Sequence, residues 1–150
     1  MQRKGTALWR GNLEHGKGEL STESGALKSV PYSFSMRFGD TPGTNPEELI
    51  GAAHAGCFTM ALSGALAKKG FIADTLETSA TVTFEKKGEG FEITSSKLKL
   101  RARVPDIDAK TFQEIAEDSK KNCPVSKLLK AEITLDIDFH PTLQSSASAH

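Results

Sequence analysis

The stretch from Asn45 to Gly70 leaves this chain few ways to fold. It opens Asn45-Pro46-Glu47-Glu48, closes Lys68-Lys69-Gly70, and carries almost no charge between. Asn45 suits a helix N-cap, Pro46 the first helical position, and the two glutamates the positive end of the helix dipole. The lysines suit the last turn, and Gly70 the left-handed residue just past it. From Ile50 to Ala67 the residues are apolar or small on every side, which predicts a buried helix rather than one with a single apolar stripe. Small residues outnumber large ones and Lys68 closes the run early, so it is not read as a membrane span. A single small sheet cannot cover such a helix on all sides. The expectation is therefore a homodimer whose two central helices pack together.

The 150 residues fit one domain, expected over residues 1–140, with a polar tail at 141–150 expected to be disordered. Lysine plus arginine equals aspartate plus glutamate, 19 of each, so the formal charge is zero. That balance argues against nucleic acid and anionic membranes as partners. Met1-Gln2-Arg3-Lys4-Gly5 shows no apolar signal core, and two cysteines without an export signal point to a cytoplasmic, reducing compartment.

Along the chain, Thr6 to Trp9, Glu19 to Thr22 and Tyr32 to Phe38 read as three strands of an antiparallel meander, with turns at Gly11 and at Gly16 to Gly18. In the third, Tyr32, Phe34, Met36 and Phe38 share one parity, and Arg37 lies on the other. After Gly70, Leu76 to Glu85 and Phe91 to Val104 read as a hairpin about Lys86 to Gly90. Asp108 caps a helix through Phe112, Ile115 and Ala116. Pro124 opens a short helix from Val125 to Lys130, and Ala131 to Phe139 alternates as a final strand. This order predicts an α+β fold: antiparallel sheets wrapped around the long buried central helix.

Chemistry centres on two thiols. Cys57 lies mid-helix, where burial alone makes a thiol inert, so reactivity needs a cation nearby. Arg37 is the candidate, with Glu47 placed to hold its guanidinium. Glu47 and Cys57 are separated by about 15 Å of helical rise, so a site holding both needs the long arginine between them or residues from two chains. Cys123, beside Pro124 at a helix start, suits a second thiol. A deep cysteine and one at a helix end suit a peroxidatic and a resolving pair. His54 with Cys57 as a hydrolase dyad lacks an oxyanion hole, and no second pair stands at metal-ligand spacing. His54 is read as a packed or hydrogen-bonded core histidine.

The block Gly43 to Ser63, with its Gly51-Ala52-Ala53-His54-Ala55-Gly56-Cys57-Phe58, and the motif Asn122-Cys123-Pro124-Val125-Ser126 resemble the OsmC/Ohr family of thiol peroxidases, and its OsmC branch more closely. The Gly16-Lys17-Gly18 turn, Pro31 to Phe34 and Lys130 to Leu135 extend the likeness over most of the chain. The resemblance implies an intertwined homodimer with two active sites at the subunit interface. It implies reduction of organic hydroperoxides, and of hydrogen peroxide less well, with no metal and no bound cofactor. An external dithiol, of lipoyl type, would recycle the protein. Carried onto this sequence, Cys57 is the peroxidatic thiol, Cys123 the resolving thiol, Arg37 the activating arginine and Glu47 its carboxylate partner. Phe38, Phe58 and Met60 are candidates to line a channel for an alkyl tail, set against a plain core role. The non-enzymatic alternative is a redox sensor or interaction domain responding to the same cysteine pair.

Overall fold

The computed structural model describes residues 1–141; the tail expected at 141–150 otherwise lies outside the described residues. The chain divides into two compact units, Met1–Leu49 and Ile50–His150.

In the first unit, β1 (Gly5–Arg10), β2 (Lys17–Thr22) and β3 (Val30–Tyr32) form the antiparallel meander expected of them. The turn precedes the one read from Gly16 to Gly18. Asn12 closes it, its carbonyl accepting from Gly16 N at 2.9 Å and its Oδ1 from His15 N at 2.7 Å. Gly18 is instead a strand residue, and its lack of a side chain serves packing. A Cβ there would lie 2.4 Å from the Tyr32 ring and 2.6 Å from Trp9, whose rings pack at 5.3 Å.

The third strand is shorter than its alternation predicts. After Tyr32 the chain turns into the helix α1 (Phe34–Phe38). Ser33 caps it, its Oγ accepting from Met36 N at 3.3 Å. Phe34 and Phe38, four residues apart, pack with tilted rings on one helical face, centroids 4.8 Å apart. The same residues fit period two and period 3.6, and the serine cap decides for the helix. Arg37 therefore stands in the last turn of a helix, not on the polar side of a strand.

α2 (Pro46–Lys68) is the long helix, with the ends the sequence predicts. Glu48 N donates to Asn45 Oδ1 at 2.8 Å. At the other end Gly70, at φ +88°, lets Gly70 N reach Ala67 O and Phe71 N reach Leu66 O, both at 3.0 Å. By length and hydropathy α2 would also pass as a membrane span. One face of it packs as core: Phe58, Leu62 and Leu66 are fully buried against other elements of the second unit.

Those elements are β4 (Thr75–Lys87), β5 (Gly90–Arg103), α3 (Ala109–Asn122), α4 (Pro124–Leu128) and β6 (Glu132–His140). β5 alternates as read, with Leu98, Leu100 and Ala102 inside and Lys97, Lys99 and Arg101 outside. β4 and β5 form the hairpin, with a bulge that passes Thr94 by between Thr83 and Phe84. The expectation of antiparallel pairing fails at one place: β6 pairs β5 in parallel, from Ser95↔Glu132 to Arg103↔His140. The two helices between these strands supply the crossover that a parallel pair needs. α3 brings Phe112, Ile115 and Ala116 into the same core, and Phe112 stacks on Phe139 of β6 at 4.5 Å.

As its all-round apolar composition led us to expect, α2 is not covered on every side by its own chain. Ala52, Ala53, Gly56, Met60, Ser63 and Gly64 are exposed, Met60 by 78%.

Candidate active site

The first unit holds an ion pair. Asn45 and Pro46 set the start of α2, which puts Glu47 in its first turn, and the Ser33 cap sets α1, which carries Arg37 in its last turn. Arg37 Nε and Nη2 both donate to Glu47 Oε1, at 3.0 and 2.8 Å. Glu47 is 9% exposed, and its Oε2 has no hydrogen-bond partner among the described residues. The Arg37 guanidinium also lies over the Phe38 ring, 5.4 Å from its centroid.

The second unit holds the thiols. Cys57 is half-buried on α2, and Cys123, fully buried, is the N-cap of α4. Neither is in a disulfide, and the two lie close enough for each to shift the other's ionisation. Residues 66 apart in sequence are thus brought together by the core packing of α2 against the α3–α4 crossover.

Their electrostatics differ. Burial pushes the Cys57 thiol up; a hydrogen bond from the Val125 backbone opposes this in part, and the neighbouring Cys123 adds to the rise. Burial also works against a Cys123 thiolate, but hydrogen bonds from Ser126 Oγ, Ser126 N, Cys57 and the Val125 backbone outweigh it. The Cys123 thiol is held below its ordinary value. Of the two, Cys123 is the thiol whose ionised form its surroundings favour. Access runs the other way, since Cys57 retains exposure and Cys123 has none.

Behind Cys123 lies a polar file that sequence reasoning did not assemble. Ser126 N and Oγ each approach Cys123 Sγ at 3.5 Å. Ser126 Oγ lies 2.8 Å from His54 Nε2, and His54 Nδ1 lies 2.6 Å from Ser96 Oγ. His54 is fully buried, and burial lowers its pKa, so the ring is neutral. It is the hydrogen-bonded core histidine the sequence suggests, but its two partners come from β5 and α4. The available signals were small: His54 three residues before Cys57, and Ser126 three residues after Cys123.

Among the channel candidates, Phe58 is fully enclosed in the core, so in this chain it packs and offers no surface to a substrate. Phe38 and Met60 are exposed, at 38% and 78%. Among the described residues no three His, Cys, Asp or Glu side chains gather as metal ligands.

A family model for OsmC-like proteins matches residues 38–138, which includes Glu47 and both thiols. This chain belongs to the OsmC family. Peroxiredoxin OsmC of Escherichia coli is 53% identical over 136 residues, covering 91% of this chain and 95% of the relative. The organic hydroperoxide resistance protein OhrB of Bacillus subtilis is 25% identical over 124 residues, covering 81% and 88%. In three dimensions, an OsmC-like protein of unknown function from Vibrio cholerae superposes with a TM-score of 0.74 at 14% identity, over 91% of this chain and 99% of the other. That last likeness is one of fold alone.

Proposed function

We propose that this protein is a thiol-dependent peroxidase that reduces organic hydroperoxides to alcohols. The observation that carries the reading is the Cys57–Cys123 pair: one thiol half-buried, one buried, close enough for each to shift the other's ionisation. It is supported by the names of the relatives, a peroxiredoxin at 53% identity and an organic hydroperoxide resistance protein at 25%.

In this mechanism the Cys57 thiolate attacks the distal peroxide oxygen. The O–O bond breaks, the alkoxide leaves and takes a proton, and Cys57 becomes a sulfenic acid. Cys123 then attacks the Cys57 sulfur, expelling water and closing a disulfide. An external dithiol reopens it by exchange. Left to its own unit, burial holds the Cys57 thiol up, so the first step needs a cation. Arg37, steadied by Glu47, is assigned that role in the assembled protein, where it stabilises the thiolate and the departing alkoxide.

The working form is proposed to be a homodimer. The exposed residues on α2, most of them small, leave a face against which a second copy of the helix is proposed to pack. Opposite Cβ positions 56 and 64 there is open space in the chain itself. The reductant is proposed to be a lipoyl-type dithiol and the compartment a reducing, cytoplasmic one, in keeping with two free thiols. The protein is proposed to need no bound cofactor, since the two sulfurs supply the electrons. Phe38 and Met60 remain the exposed apolar candidates for contact with an alkyl tail.

The test is steady-state consumption of cumene hydroperoxide with dihydrolipoamide, against dithiothreitol or thioredoxin. Sustained turnover supports the peroxidase. One equivalent consumed per chain and no more, with any dithiol, would instead mark a redox sensor.

A further inference from the structure

The file of groups behind Cys123 runs in one direction. Ser126 Oγ donates to Cys123 Sγ. Having spent its only proton there, it must accept from His54 Nε2–H at 2.8 Å. His54, neutral with its proton on Nε2, then accepts at Nδ1 from the Ser96 hydroxyl at 2.6 Å. Every donor points toward the sulfur. Three of these four side chains are fully buried, and Ser126 is 8% exposed, so the file works in a low local dielectric, where aligned hydrogen bonds reinforce one another. Neither the first step nor the Arg37–Glu47 pair uses it.

We propose that Ser96, His54 and Ser126 form a polarised relay that presents Cys123 as a thiolate to the oxidised Cys57, so that they are positioning residues for disulfide closure. The proposal rests on the peroxidase reading above. In the step it serves, the Cys123 thiolate pair forms the S–S bond with Cys57 while the Cys57 S–O bond breaks. Hydroxide leaves and becomes water with a proton from solvent. Cys57 gains one electron equivalent from Cys123, and the thiol proton of Cys123 has already gone to solvent when the thiolate formed. The charge lost from Cys123 on attack releases the Ser126 hydroxyl, which the His54 ring holds in place for the next cycle.

The test separates the two steps. Reduced protein receives one equivalent of cumene hydroperoxide with dimedone present, and intact mass reports the partition of Cys57 between disulfide and dimedone adduct. Peroxide loss in the same single turnover reports the first step. In Ser126→Ala, closure is expected to slow by about tenfold, the loss of one hydrogen bond to a charged group, while the first step stays within about twofold. Ser126→Thr keeps the hydroxyl and restores closure, and His54→Gln behaves like Ser126→Ala. Closure at the unmodified rate in Ser126→Ala, equal slowing of both steps, or no rescue by Ser126→Thr overturns the relay. If the unmodified protein consumes no hydroperoxide at all, it is the peroxidase reading that falls, and the relay with it.

Discussion

Arg37 grips one oxygen of Glu47: its Nε and Nη2 converge on Oε1 at 3.0 and 2.8 Å, and Oε2 is left buried beside them with no hydrogen-bond partner among the described residues. The pairing fixes Arg37 from a short helix and leaves the outer face of its guanidinium, whose side chain is 36% exposed, turned partly to solvent. A carboxylate in this role orients the arginine more than it stabilises the fold, since a partly exposed ion pair contributes little to stability.

Glu47→Gln keeps the shape and removes the charge. The expected outcome is a fall of about tenfold in kcat/KM for cumene hydroperoxide, with the midpoint of thermal unfolding nearly unchanged. Arg37→Lys should lose more, because an ammonium cannot hold both a carboxylate and a thiolate in one plane. Steady-state kinetics and a melting curve on each variant check this. Large destabilisation with intact kinetics would reverse the assignment.

The two thiols should fail differently. Cys57→Ser abolishes peroxide consumption. Cys123→Ser permits one turnover and then accumulates sulfinic acid at Cys57, because no thiol stands by to capture the sulfenic acid. Mass spectrometry after excess hydroperoxide distinguishes them by added oxygen.

The bare face of α2 makes its own prediction. At Gly64 an added Cβ meets nothing within 4 Å in the chain itself, so Gly64→Leu should not disturb the isolated fold. Against a second copy of the helix the same side chain overpacks, at a cost of about 1–3 kcal/mol per contact, which weakens dimerisation by about tenfold or more. Sedimentation at micromolar concentration reads the result; a monomer in the unmodified protein would remove the dimer.

His54 links stability to pH. Burial lowers its pKa below the ordinary 6.5, so between that value and its folded value the unfolded chain binds a proton that the folded chain refuses. Stability is then complete above pH 6.5 and declines as pH falls below it. Urea midpoints at pH 7.5 and 5.5 should differ more for the unmodified protein than for His54→Gln. Equal pH slopes would place the acid sensitivity elsewhere.

Much of this was legible in the residues. The caps of α2 were readable because Asn45-Pro46 and Gly70 each have one local use, and the alternation of β5 was readable because charge and hydrocarbon cannot exchange faces. The α1 helix was not, since Phe34 and Phe38 satisfy two periods at once and only the Ser33 hydroxyl separates them. Parallel pairing of β6 was invisible for a different reason: alternation reports which face is buried and says nothing of strand direction. The site divides in the same way. Cys57, Cys123, Arg37 and Glu47 carry their chemistry in their side chains. Ser96 and Ser126 acquire theirs only from the fold, which brings a histidine between two hydroxyls distant in sequence.

The central claim is that Cys57, not the better stabilised Cys123, meets the peroxide. Reduced protein treated with a single equivalent of cumene hydroperoxide, then alkylated and mapped by mass spectrometry, tests it most directly. The account predicts one Cys57–Cys123 disulfide per chain, and in Cys123→Ser a sulfenic acid on Cys57 alone. Oxidation of Cys123 with the Cys57 thiol intact would contradict it.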